Sequence, residues 1–100
     1  MSQIVISWTP PANLPSVIPA GSGYNVYRAL SPAAPAPPPI NASLIPIGTN
    51  EFTDTNVQEG DVYDYFVETV IAGVSSAPSV EATSNPVPPQ PPTGVTATAT

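Results

Sequence analysis

Carboxylates are the main side chains in this 100-residue chain that could do chemistry. Six of the seven acids fall in one stretch, at Glu51, Asp54, Glu59, Asp61, Asp64 and Glu68. Carboxylate oxygens are natural calcium ligands, so a calcium site is one interpretation. The acids around Asp64 alternate with apolar residues, and no Asp-x-Asp-x-Asp-Gly loop is present. This alternation favours a solvated strand face, with Asp54 capping a turn through its side chain.

The composition excludes most other chemistry. The chain has no Cys, His or Lys, and Arg28 is its only basic residue, giving a formal net charge of −6. It therefore lacks thiolate and imidazole ligands, Ser-His and Cys-His pairs, and an amine for a Schiff base. One cation cannot neutralise a nucleic-acid backbone, and no apolar run is long enough to cross a membrane. We expect a non-enzyme with no cofactor or metal, and with neither nucleic acid nor membrane as partner.

Proline marks the connections between structural elements. Most of the 16 prolines cluster in residues 10–19, 32–46 and 86–92. Proline lacks an N–H and is rejected from strand interiors, so the strands must lie between these clusters. Alternation of bulky and polar residues predicts strands at 4–8, 23–28, 43–47, 52–53, 62–70, 79–82 and 93–100. No segment has a sustained helical period, so the sequence predicts an all-β sandwich.

The same alternation assigns aromatic side chains to the two faces of the sheets. The predicted core residues are Trp8, Tyr24, Val26, Phe52, Tyr63, Tyr65, Val67 and Val80. Four of these rings could instead line a sugar-binding platform, but their strand spacing favours the core. Tyr27 and Phe66 point to the other face and are the better candidates for a surface contact.

Several motifs occur in the order found in one family of domains. They lie at residues 4–11, 23–28, 52–57, 57–67 and 77–82. Together they resemble a fibronectin type III domain of bacterial extracellular proteins, with Glu59 where that family often has proline. The resemblance implies a seven-stranded immunoglobulin-like sandwich located outside the cell or on its surface. It also implies that Tyr63 is a tyrosine-corner residue, whose hydroxyl bonds the backbone a few residues upstream. Since residues 1–4 do not look like a signal peptide, we expect that an export signal either lies upstream in a longer parent or has been removed.

The chain departs from this family at one place. The family begins with strand A, but this chain begins with the stretch that resembles strand B, and the strand-A-like stretch stands at 92–100. The order of strands in the sequence is therefore B-C-C′-E-F-G-A. This order divides the chain into a sandwich lacking strand A at 1–84, a proline-rich linker at 85–92, and strand A at 93–100.

Three explanations of the displaced strand are open. The strand folds back into its own sandwich as a circular permutant, completes the sandwich of a neighbouring copy, or is an idle remnant of a next domain. A return must span an eight-residue strand of roughly 26 Å, and residues 83–92 reach about 31 Å as polyproline II. The return is long enough, but a stiff proline rod resists the two reversals it needs, which favours donation to a neighbour. The assembly strand is then Gly94, Val95, Thr96, Ala97 and Thr98, and the acceptor edge is Ile4, Val5 and Ile6.

Two functions follow. The first is an extracellular structural module whose partner is itself, assembling head to tail through its C-terminal strand. The alternative is a ligand-binding or spacer module of a larger secreted protein, with carbohydrate or protein as partner and strand A folded back. A binding module should expose a patch of aromatic rings, whereas a structural module should expose almost none. Asn41-Ala42-Ser43 also matches a glycosylation sequon, a tripeptide that often arises by chance.

Overall fold

Six β-strands make up the described part of the chain. The computed structural model describes residues 2–76, 79, 82–89, 93–94 and 96–99. The strands are β1 Ile4–Ser7, β2 Gly23–Leu30, β3 Glu51–Asp54, β4 Tyr63–Ile71, β5 Val74–Ser75 and β6 Ala82–Thr83. Over these residues there is no helix, and so none that could cross a membrane.

The strands form two antiparallel sheets. One contains β1 and β3, and the other has the order β2-β4-β5, with β6 also pairing with β4. The prediction of an all-β chain is confirmed, and the two sheets are consistent with a β-sandwich. Six strands are found where seven were predicted, and residues 93–94 and 96–99 belong to no strand.

The ladder between β2 and β4 is the longest in the molecule. Its register runs from Gly23 opposite Val70 to Leu30 opposite Tyr63. Both strands are rich in Tyr and Val, which suit a pleated, half-buried surface. Tyr24 and Val26 project from β2 into the core and are almost completely buried.

A tight hairpin joins β4 to β5. Ala72 and Gly73 have φ values of 50° and 80°, and Ile71 pairs with Val74 across them. Positive φ at both central residues is the signature of a type I′ turn, which matches the twist of paired strands. The sequence did not predict β5 because alanine is not a residue that marks such a turn.

The core lies between the two sheets and contains most of the predicted residues. Buried there are Ile6, Tyr24, Val26, Ile45, Tyr63, Tyr65 and Val87, with Trp8, Phe52 and Val67 partly buried against them. Val80, the remaining predicted core residue, lies outside the described residues. Trp8 and Tyr24 meet edge to face, with ring centroids 5.2 Å apart. Ile45 and Val87 were not predicted.

The predicted strand at 43–47 is wrong. Only Ile45 pairs with β2, as an isolated bridge to Tyr24. The next bonding position on β2, the Val26 N–H, is taken by the side chain of Asn41, so the ladder does not extend past Ile45 toward Ser43. The chain passes very close here, since a Cβ on Gly23 would come within 2.5 Å of the Ile45 carbonyl oxygen.

Candidate functional site

The outer edge of β1 has no strand beside it in the described part of the chain. On its inner edge, β1 pairs with β3 from Ile4–Asp54 to Ser7–Glu51, and the Trp8 N–H donates to the Asn50 carbonyl at 3.0 Å. Backbone groups of successive residues point to opposite edges, so Val5 and Ser7 direct their N–H and C=O groups away from β3. Such a row of groups is a template for another strand.

The side chains of the predicted acceptor residues differ in burial. Ile6 lies in the core and Ile4 is half-buried. Val5 points outward and is 52% exposed.

Two grooves run along this bare edge, between β1 and the opposite sheet. The lower groove has a volume of about 380 Å³ and lies between residues 3–5 and 83–88. The upper groove, of about 270 Å³, lies between residues 6–9 and 65–67, with Ser79 and Ala82. We call the two together the open seam. It places an extended depression beside the edge where a strand could add.

Val87 closes the lower end of the open seam. Its side chain is 2% exposed, its N–H donates to the Asp61 carbonyl at 3.0 Å, and its carbonyl accepts from the Gly60 N–H at 2.9 Å. Gly60 has a φ of 81°, which favours glycine at this turn. Ordered packing therefore continues past residue 84, where the sequence placed the end of the sandwich. A lone valine among prolines gave no periodic signal that could have revealed it.

The predicted assembly strand does not reach this edge within its own chain. Thr96, Ala97 and Thr98 are exposed and belong to no strand, as does Gly94. Val95 lies outside the described residues. The predicted acceptor edge and the described residues of the predicted assembly strand are thus not paired with each other in one chain.

The outer edge of β2, in contrast, is covered. The Tyr24 N–H donates to the Ile45 carbonyl at 2.8 Å, and the Ile45 N–H returns a bond to the Tyr24 carbonyl at 3.0 Å. The next pair of groups belongs to Val26, whose N–H donates to Asn41 Oδ1 and whose carbonyl accepts from the Ile40 N–H, both at 2.8 Å. Another strand would find these positions taken.

Asn41 holds this covering in place. The residue is 7% exposed, and its Nδ2 donates to the Tyr24 carbonyl at 3.3 Å, to Asn25 Oδ1 at 2.9 Å and to the Ser43 carbonyl at 2.9 Å. The side-chain amide of Asn41 thus makes hydrogen bonds to β2 that a neighbouring strand would otherwise make. Sequence reasoning noted Asn41 only as a sequon residue, because nothing in a single sequence distinguishes a buried amide from an exposed one.

An ion pair links the two sheets on this same side of the sandwich. Arg28 on β2 donates from one guanidinium nitrogen to both carboxylate oxygens of Asp54 on β3, at 3.0 and 2.9 Å. The Tyr65 hydroxyl donates to Asp54 Oδ2 at 2.8 Å. Burial, and next the bond to Asp54, raise the pKa of Tyr65 well above its usual range. The Asn56 N–H donates to Asp54 Oδ1 at 3.1 Å, so Asp54 also caps a turn as predicted.

Other acids also have protein partners. Glu68 accepts from the Tyr27 hydroxyl at 3.2 Å, and Asp64 accepts from the Thr83 hydroxyl at 2.7 Å. Asp64 is buried, so the predicted solvated face is wrong at this residue, where Thr83 pairs alongside it. No cluster of three or more potential metal ligands occurs within the ranges that the structure describes.

None of the seven aromatic side chains, all of which are described, is exposed. Tyr27, a predicted surface candidate, is buried and packs against the half-buried Phe66 with ring centroids 4.7 Å apart. Burial, together with Glu68, raises the pKa of its phenol. The rings stabilise the sheets and form no exposed platform.

The hydroxyl of Tyr63 makes the contact predicted for it. It accepts from the Gln58 N–H, five residues upstream, at 2.9 Å.

Comparison of the chain with protein-family models, with curated proteins and with solved structures finds no match.

Proposed function

We propose that this chain is a non-catalytic structural module that assembles head to tail. Residues 94–98 of one copy add as a strand to β1 of the next and fill its open seam. The observation that carries the proposal is the bare outer edge of β1, with backbone groups of Val5 and Ser7 directed into a groove. The same chain carries a segment of the expected composition, whose described residues, 94 and 96–98, belong to no strand.

The geometry also supports the likeness to a fibronectin type III domain lacking strand A. The Tyr63–Gln58 bond has the form of a tyrosine corner. β1 pairs with β3, as expected for strands B and E. β2 pairs with β4, and β4 pairs with β5 and β6, as expected for strands C, F and G. In that arrangement, strand A belongs beside β1. The proposed location of the protein remains outside the cell or on its surface.

Charge permits contact between two copies at this place. Each copy carries a net charge of −6, so two copies repel each other overall. The residues lining the open seam include no charged side chain, and neither do residues 92–100. The donor and the acceptor can therefore meet without burying an acid.

Donation to the next copy is a heterologous contact, since the surface that gives differs from the surface that receives. Each copy that receives a strand still has its own strand to give. Such contacts form rings when the rotation between neighbours closes, and open filaments when it does not. We therefore expect a series of oligomers and not a single dimer.

The alternative of a ligand-binding module is less well supported. Its expected feature, a patch of exposed aromatic rings, is not found among the seven aromatic residues. Backbone pairing along an edge needs no such rings, because its affinity comes from main-chain hydrogen bonds.

Val5→Pro tests the proposal at the acceptor edge. The Val5 N–H points away from β3, so proline removes a donor only from the outer edge, and edge strands tolerate proline. We expect the fold to survive and assembly to be lost. Light scattering behind size exclusion, over a wide range of protein concentrations, measures the mass.

Two further variants complete this experiment. Val5→Thr keeps the N–H and a β-branched side chain and should assemble like the parent chain. Deletion of residues 92–100 should abolish assembly from the donor side. A parent chain that holds the monomer mass at every concentration, or a deletion that leaves assembly intact, would contradict the proposal.

A further inference from the structure

We propose that the contact between copies extends beyond the added strand, because the proline-rich linker of the donor lies in a third groove of the acceptor. This inference rests on the proposed function and specifies how the donor segment is held. The occupant is the segment of a second copy around residues 89–92, immediately before its assembly strand.

The third groove lies beyond Ser7, the last residue of β1. It has a volume of about 450 Å³ and lies between the loop at residues 11–15 and the β4–β5 hairpin. We call it the end groove. Its apolar residues are Pro11, Leu14, Pro15, Ile71 and Val74.

The end groove continues the line of the open seam. Residues 3–5, then 6–9, then 11–15 form one wall of the three grooves in turn. Residues 65–67 of β4 line the second of them, and Thr69 and Ile71 of β4 line the third. A chain lying along β1 therefore enters the end groove when it passes Trp8.

The direction of the donor places its linker at this end. Strand A runs antiparallel to strand B in the resemblance, so residues 97–98 lie toward Ile4 and Gly94 lies toward Ser7. Residues 89–92 then continue past Trp8, where β1 has ended. Prolines cannot donate to a ladder, and here no ladder is required of them.

The chemistry of the two surfaces also matches. Residues 86–92 contain five prolines and no charge, and the residues lining the end groove are likewise uncharged. A polyproline segment is already extended and loses little entropy when it docks on an apolar groove. Val74, on the wall of the groove, is 72% exposed in the single chain and would be covered by the linker.

Val74→Asp tests the end groove. An aspartate there would be desolvated against the linker without a cation to pair with, so we expect association to weaken at least tenfold. Val17→Asp is the matched control, because it adds the same charge at a residue that is 81% exposed and does not line the groove. Its association constant should stay within a few fold of that of the parent chain. Sedimentation equilibrium of the full chain gives the constants.

A donor-side variant makes the test independent of the fold of the acceptor hairpin. Pro91→Ser with Pro92→Ser leaves residues 93–100 in place but removes the stiff apolar rod, and should weaken association several fold. If both this variant and Val74→Asp associate as tightly as Val17→Asp while Val5→Pro does not associate, the end groove is not used and strand donation stands. If the parent chain stays monomeric, both proposals fail.

Discussion

The outer edges of β1 and β2 differ in how their backbone hydrogen-bonding groups are satisfied. Each side ends in a strand whose outer backbone groups need partners. On the β2 side, Ile45, Asn41 and Ile40 satisfy the outer groups of Tyr24 and Val26, and the Arg28–Asp54 pair links the sheets. On the β1 side the groups of Val5 and Ser7 face a groove. The difference teaches that the chain can cover an edge with loop residues, and that, within the residues the structure describes, it does so on one side only.

The largest effect is expected on the covered side. Asn41→Ala would leave the buried Val26 N–H and two carbonyls without this hydrogen-bond partner. The loss should lower the free energy of unfolding by about 3 kcal/mol or more. Ser43→Ala is the control, since only the backbone of Ser43 bonds to Asn41, and it should change stability by less than about 0.5 kcal/mol. Urea titration measures both.

Asn41→Ala should also make the two sides more alike. An uncovered β2 edge is a second place for a strand to add, so the variant should associate beyond the parent chain if it stays folded. A variant with the parent's stability would mean that Ile40 and Ile45 cover the edge without the amide.

The next effect is expected at the lower end of the open side. Val87→Ala removes two methyl groups from the core and should cost about 2 kcal/mol of unfolding free energy. A chain ending at Pro89 should keep the parent's stability when both are monomeric, whereas one ending at Asn85 should lose at least as much as Val87→Ala. Equal stability of the two shortened chains would place the end of the packed unit before Val87.

The smallest effect concerns pH and the ion pair on the covered side. The pKa of Tyr65 is raised above 10.0, its ordinary value, so above about pH 10 the native state holds a proton that the unfolded state has lost. Stability should therefore fall as pH rises past about 10, whereas below that pH the contribution of this group is fully present and does not change with pH. Tyr65→Phe should reduce the slope and, at pH 7, cost about 1–2 kcal/mol by removing a partner of Asp54.

Tyr24→Phe is the matched control for that experiment. The Tyr24 hydroxyl is buried and has no partner within the described structure, so its loss should leave stability at pH 7 unchanged or higher. Tyr27 also has a raised pKa, so part of the alkaline slope should persist in Tyr65→Phe. A slope identical to that of the parent would show that Tyr65 ionises alike in both states.

The sequence predicted those parts of the fold in which local pattern and burial agree. β1, β2 and β4 alternate with period two, and their inward residues Ile6, Tyr24 and Tyr65 form the core. The Tyr63 hydroxyl also found its predicted partner, because that contact is local. Pattern was sufficient where a strand pairs with strands on at least one side and packs on one face.

The sequence failed where one side chain replaces a regular element. Nothing in the order of residues indicates that Asn41 covers an edge, that Val87 enters the core, or that Tyr27 is buried on an outer face. Each depends on segments far apart in the chain. Asn41 and Val87 lie outside any periodic run, and the alternation of β2 assigns Tyr27 to a face but does not indicate whether that face is covered. For the acceptor, the sequence predicted an edge at Ile4, Val5 and Ile6, but not the grooves that lie beside it.

Burial of Asn41 has a consequence for production of this protein in a eukaryotic secretory pathway. The Asn41-Ala42-Ser43 tripeptide is a substrate for oligosaccharyltransferase only while the amide is accessible. Once Asn41 Nδ2 has bonded its three acceptors, no glycan can be attached without reopening that side of the molecule. A sugar on Asn41 would therefore mark chains modified before they folded, and the fraction carrying it would compare the rate of folding with the rate of glycan transfer.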